Sequence, residues 1–296
     1  MLNQKRVIDP LYGSIPMPLW LVHVLDREEI RRMMFIRQLG LKAYIDFPGA
    51  IHTRYSHALG TMHVAGRIVD LLCQKATSKG HTNIAQCLKE NKNTLMAAGF
   101  FHDIGHGPFS HVLDYPLKKF TEKSHEEIAA DMIVTFKPEL ERFSIPVDFM
   151  TEIIRGIHEY NFICGIINGP LDADKLDYLL RDSYHVGLKY SFDVDIFINE
   201  YVVLGNDSNL SACELGLESN PGAIDTAEIY LLIWKSLYDI VYYAPWSRVA
   251  EKMLEKAILR ACEEKTDFKE IFLKREKYAE LTDSELLSEL KTACDF

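Results

Sequence analysis

His102, Asp103, His106 and His111 fall within ten positions of the stretch FFHDIGHGPFSH (100–111), directly after Phe100 and Phe101. Burying a histidine and an aspartate beside two phenylalanines costs on the order of several kcal/mol unless each is paired or bound to a metal. A polar helix cap would account for a lone His-Asp pair. It does not account for two more histidines so close, and neighbouring side chains near a helix end can converge on one ion. Two further segments have the same character. HTRYSHALG (52–60) sets Arg54 and His57 three apart at a helix start. DADKLDYLLRD (172–182) carries Asp174, Lys175, Tyr178 and Asp182, and positions 174, 178 and 182 share one helical face. Taken alone, that face reads first as a solvated one.

The elements that must position these residues are mostly helical, because apolar residues recur at three-to-four spacing. The segment 57–76 predicts a helix with Ala58, Met62, Ala65, Ile68, Val69 and Leu72 on one side. Residues 93–105 predict a second, nearly all-apolar helix closed by Gly105. Residues 124–137 begin with a cap at Ser124 and carboxylates in the first turn. Residues 172–187 form another helix ended by glycine, and 226–265 is long enough for two helices bent near Pro245. YVVLGNDSNLSACEL (201–215) breaks the pattern and predicts a small hairpin around a turn cluster. Asp9-Pro10 and Gly13 predict a structured entry strand or loop with no assigned chemistry. In the tail, LTDSELLSELK has the look of an N-cap and capping box. The fold class is all-α, mainly helical, with a small β-hairpin excursion.

The ordered set His57, His102-Asp103 and Asp174 resembles the H…HD…D signature of HD-domain phosphohydrolases. The strings QLGLKAYIDFPGAIHTRYSHALGT, GFFHDIGHGPFSHVLD, SHEE and DADKLDYLLRDSYHVG are similar to the branch of deoxynucleoside triphosphate triphosphohydrolases. Four separated motifs stand in the family's order, over about residues 5 to 260, and the tail is not covered. The domain expectation is therefore an HD domain over 1–265 and a helical appendage over 266–296.

The resemblance implies metal ligation by His57, His102, Asp103 and Asp174. It implies catalytic or phosphate-contacting roles for His106, His111, Asp114 and His125. Arg54 and Lys175 would hold the phosphate chain, Tyr178 would pack on the sugar, and Gln38, Leu39 and Asp182 would read the 3′-hydroxyl region. Tyr242 would sit near the base. The physical reading agrees, since two imidazoles and two carboxylates suit Mn, Fe, Ni, Co or Zn and leave positions open for water and a phosphoryl oxygen. Arginine offers phosphate a planar fork and lysine a point charge, and Mg on the substrate phosphates fits the same scheme.

The chain departs from the family at Met34 and Arg31, in the region of the activator nucleotide site of regulated relatives, where Asp26 matches. It departs again at Trp234 and Ala244, near the base. His23, His81 and His185 are expected at the surface or the core edge, and His63 in packing. His125 with His158 would offer ligands for a second metal.

The expected reaction is attack of water on the α-phosphorus of a dNTP, giving deoxynucleoside and triphosphate. His111, oriented by Asp114, would protonate the leaving 5′-oxygen. Two alternatives stand beside this reaction: hydrolysis of another nucleotide or phosphoester, and a non-catalytic nucleotide sensor on the same scaffold. The resemblance also implies a homo-oligomer.

Composition bounds these readings. The chain has 296 residues, 48% hydrophobic and 26% charged, the proportions of an ordinary soluble protein. No window approaches about 18 uninterrupted apolar residues, so no membrane span is expected, and the first residues lack the apolar core of a secretory signal. Six scattered cysteines without a CxxC pair predict reduced thiols and a cytoplasmic setting. A net charge of −10 argues against broad nucleic-acid binding, while leaving room for a small anion in a focused cleft.

Overall fold

The central helix, Arg54–Ser78, starts from a capping box in which Thr53 accepts from the Ser56 amide and Ser56 accepts from the Thr53 amide. Its predicted face is buried, and so are Leu59, Gly60 and Val64 on other sides, so it runs through the core rather than along it. The computed structural model describes residues 5–189 and 192–294. Beside the central helix lies Thr82–Phe101, whose Gly99 backs onto the carbonyl of Thr61.

This second helix begins eleven residues before the predicted start at 93 and stops at Phe101, not at Gly105. Its polar first half hides the start from an apolar-pattern reading. Gly105 has another role: a Cβ there would lie 2.1 Å from the carbonyl oxygen of His125 and 2.5 Å from the Ala129 amide. Its missing side chain lets the helix His125–Val134, capped at Ser124 as predicted and reciprocally by Glu127, press against the turn that follows His102; the helix ends at Val134 and not at the predicted 137.

The remaining elements place the rest of the site. Ala173–Val186 is capped by Asp172, which accepts from the Lys175 amide, and ends at Gly187 with φ +78°. The long 226–265 segment is three elements: Pro221–Leu237, a π-helical turn Tyr238–Tyr242, and Pro245–Glu264. The expected hairpin pairs Tyr201–Leu204 antiparallel with Glu214–Leu217. A second hairpin, Arg6–Asp9 with Gly13–Pro16, occupies the predicted entry strand or loop. Its turn is closed by Asp9 Oδ1, which accepts from the amides of Leu11 and Tyr12. After residue 265 come Thr266–Leu273, Arg275–Glu280 and Asp283–Cys294, the last capped reciprocally by Thr282 and Glu285.

Cys73, Cys87, Cys164, Cys213 and Cys262 are free thiols. No described helix is long and apolar enough to cross a membrane.

Candidate metal centre and substrate cleft

Four donors meet where the start of the central helix, the end of Thr82–Phe101 and the first turn of Ala173–Val186 come together. His57 Nε2 lies 3.0 Å from Asp174 Oδ1 and 3.8 Å from Asp103 Oδ2. His102 Nε2 lies 3.4 Å from Asp103 Oδ1 and 3.5 Å from Asp174 Oδ1. Neither Nε2 has a hydrogen bond of good geometry, although both are buried. Spacings of this size suit ligands around one cation, whose bonds to nitrogen and oxygen are about 2.0–2.2 Å. Each imidazole is oriented from its other nitrogen: His102 Nδ1 donates to the Gly99 carbonyl at 2.9 Å and His57 Nδ1 to Asp177 Oδ2 at 2.8 Å. Those acceptors turn both Nε2 atoms toward the carboxylates, and with an ion bound they would fix the tautomer whose Nε2 lone pair faces it.

The electrostatics of the centre favour positive charge. Burial opposes a charge on His57, yet contacts with Asp174 and Asp177 outweigh it and raise its pKa to about 10. Burial also pushes the Asp174 and Asp103 carboxyls up, and the histidines, with Arg54 on Asp103, hold both well below the usual range. A divalent ion among the same donors would supply that positive charge. His57, His102 and Asp103 offer ligand atoms within 4.8 Å of one another and fit such an ion, with Asp174 against both imidazoles.

Asp177 was not singled out from the sequence, and it anchors the centre. It is fully buried and accepts from His57, from Tyr12 OH at 2.8 Å, and from Arg181 Nε and Nη2 at 2.8 and 2.9 Å. Arg181 then donates to Asp9 Oδ2 at 2.9 Å, which ties the Arg6–Pro16 hairpin to the helix that carries Asp174. Burial raises the Asp177 carboxyl, but Arg181 and His57 bring it down to about 2, so it stays ionised. A Cβ on Gly60 would fall 1.9 Å from Asp177 Oδ1, so glycine is what lets the carboxylate reach His57. Asp177→Asn is expected to weaken metal affinity about 10- to 100-fold by disturbing the His57 tautomer. Titration with chelator-buffered metal checks this, and an unchanged affinity would remove Asp177 from the ligand-orienting role.

A cleft of about 480 Å³ opens beside the centre, a volume that suits a nucleotide-sized ligand. Of the predicted residues, Gln38, Leu39, Arg54, Tyr178, Asp182 and Tyr242 line it, together with Asp103, Asp174 and the histidines 106, 111 and 125. Gln38 Oε1 is a buried acceptor without a partner. Asp182 accepts from Tyr242 OH at 2.6 Å and from His52 at 2.7 Å, and His52 stacks on His185 with ring centres 4.4 Å apart. His52 is a residue that sequence reasoning missed, and His185 is its stacking partner. The π-helical turn presents Tyr238 and Tyr242 to the cleft, with Trp234 packed on Tyr238 at 4.2 Å. Lys175 and Asp114 are predicted residues that do not line this cleft; the Lys175 ammonium is bound by Asp172 Oδ2 at 2.7 Å. Asp26, Arg31 and Met34 line a separate cleft of about 290 Å³.

His106, His111 and His125 form a second group. His106 stacks on His125 at 4.0 Å, and His111 Nδ1 donates to Asp114 Oδ2 at 3.0 Å. Burial, then the nearby Arg54, lowers the His106 pKa to about 3, so it is neutral at ordinary pH. Burial pushes Asp114 up, but bonds from His111 and His125 hold it below its usual range. His158 faces Phe149 and Tyr160 instead and accepts from the Tyr160 amide. Among the described residues no cation cluster joins it to His125.

A helical scaffold with this donor set belongs to a known class. The HD domain family model matches residues 54–168, which hold three of the four candidate donors, and the chain is an HD-domain protein. It is 30% identical over 269 residues to the uncharacterized protein MJ1154 of Methanocaldococcus jannaschii, covering 90% of this chain and 52% of that one. It is 29% identical over 245 residues to the deoxynucleoside triphosphate triphosphohydrolase SAMHD1 of Homo sapiens, covering 71% and 38%. It is 30% identical over 254 residues to the uncharacterized protein YwfO of Bacillus subtilis, covering 81% and 53%. The chain thus spans about half the length, or less, of these curated relatives.

Proposed function

We propose that the chain is a metal-dependent phosphohydrolase whose substrate is a dNTP, split into deoxynucleoside and inorganic triphosphate. The observation that carries this is that Asp103 and Asp174 of the donor centre line a cleft that also holds Arg54, His111 and the tyrosines 178 and 242. His57, His102, Asp103 and Asp174 would hold the ion. When bound, a divalent cation there polarises a phosphoryl oxygen and lowers the pKa of water.

The chain's own residues supply the rest. Arg54 adds a fixed positive charge beside Asp103, where charge develops on the phosphate in the transition state. Gln38 Oε1 can accept from the sugar 3′-hydroxyl, and Tyr178 and Tyr242 offer faces to the sugar and base. Water adds to the α-phosphorus and releases a proton to solvent, the bond to the 5′-oxygen breaks, and His111 gives that oxygen its proton while Asp114 keeps the ring in place; His111 then regains a proton from solvent. Lys175 joins the phosphate path when its ammonium leaves Asp172.

The test is to incubate metal-reconstituted protein with each of the four dNTPs and to separate the products by ion exchange. Triphosphate release supports the reading. Orthophosphate from these or other nucleotides would replace it with a different phosphohydrolase, and binding without turnover would make the chain a sensor.

The proposal includes a homo-oligomer. Leu231 and Leu232 on Pro221–Leu237, and Trp246 and Met253 on Pro245–Glu264, are all more than half exposed. Sedimentation velocity is expected to show a species of at least two chains, and a monomer at micromolar concentration would remove this part.

A further inference from the structure

The turn that carries His106 and His111 is gripped from the far end of the chain. Asp283 is 3% exposed, and its two carboxylate oxygens accept from the backbone amides of Phe109 and Arg37, each at 2.9 Å. Tyr278, also buried, donates from its hydroxyl to the Gly105 carbonyl at 3.0 Å. Arg32 completes the grip, with Nη2 donating to the carbonyls of Ile104 and His106 and its guanidinium lying over the Tyr278 ring at 5.2 Å.

What is gripped is strained. Phe109 and Ser110 have φ of 55° and 53°, the left-handed region that residues with side chains rarely adopt. Such a conformation persists when its surroundings over-determine it. The second amide held by Asp283 belongs to Arg37, which bridges to Thr53, the cap of the central helix, and precedes Gln38 in the cleft wall. Ser110 Oγ also reaches the Gln38 carbonyl at 3.3 Å.

We propose that Asp283 is a positioning residue of the site, locking the strained turn ahead of His111 to the Arg37–Gln38 wall of the cleft. The helices after residue 265 then belong to the catalytic machinery. A carboxylate suits this task because it offers two acceptors and no donor, whereas an amide would turn its NH2 against one of the two N–H groups. The inference rests on the reading of His111 and Gln38 given above.

The test compares Asp283→Asn and Asp283→Ala with the parent chain in the metal-loaded protein, by two measurements. Hydrogen exchange read by mass spectrometry is expected to speed up over residues 36–40 and 104–112 and to stay unchanged over 57–76. In dNTP hydrolysis, kcat is expected to fall about ten- to a hundredfold, the scale of a small misplacement of a reacting group, with KM changed less than kcat and metal content near that of the parent. The loss is expected to be milder on a nitrophenyl phosphoester, whose leaving oxygen needs no proton. Exchange that rises across all helices, loss of folding in both variants, or turnover unchanged despite locally faster exchange would overturn the proposal. If the parent chain shows no dNTP turnover, the functional reading fails by itself, and the exchange measurement still reports whether Asp283 holds the turn.

Discussion

Asp174→Ala is expected to lose the bound metal and the activity together while the chain stays folded. The carboxylate sits in the first turn of Ala173–Val186 with its side chain 27% exposed, so its removal opens no core cavity. Its Oδ1 is 3.0 Å from His57 Nε2 and 3.5 Å from His102 Nε2, so the centre would lose its most distant donor in sequence and keep three. Affinity depends on ligand number and geometry, and the two imidazoles would face each other with one carboxylate fewer between them. Elemental analysis and circular dichroism on the same sample check both halves. Full metal occupancy in a folded variant would mean that the four-donor centre is wrong.

His111→Ala is expected to do the opposite: to keep the metal and lose the chemistry. The side chain is 74% exposed, makes its hydrogen bond to Asp114, and is outside the four-donor set, so neither fold nor ligation should depend on it. Loss of a general acid costs about 10²–10⁴ in rate. The expected pattern is near-normal metal content, dNTP hydrolysis down at least about a hundredfold, and a smaller defect on a nitrophenyl phosphoester. Equal defects on both substrates would argue against proton donation, and loss of metal would make His111 a ligand.

The helices and the donor motifs were legible because both are local. Apolar spacing marks the central helix, and the string HDIGHGPFSH crowds its histidines within a few residues. The clustering of His57, His102, Asp103 and Asp174 followed only through the resemblance, since spacing cannot bring residue 174 to residue 57. Asp177 had a local signal that went unused: positions 174, 177 and 181 share a helical face, and Asp177 with Arg181 is an i, i+4 ion pair. The face read from the sequence was 174, 178 and 182, which instead lines the cleft. His52 on Asp182 and Asp9 on Arg181 had no such signal, because each pair is more than a hundred residues apart. Gly105 misled because a glycine after an apolar run marks a helix end and a close contact equally well. Only the packed structure shows His125 and Ala129 against it.

The grip of Asp9 on one side of the site and of Asp283 on the other bears on how the chain matures. Contacts between residues so far apart form late, since the loop between them must close before they repay its entropy. At about 5–20 residues per second, synthesis puts roughly 15–55 s between the emergence of Asp9 and that of Asp283. Through that interval a nascent chain can assemble its central helices and donor motifs while the turn before His111 lacks its clamp. On the proposed function, hydrolytic competence would come only once Asp283 has emerged and closed on the turn, and a fragment cut before Asp283 would bind metal without working on substrate.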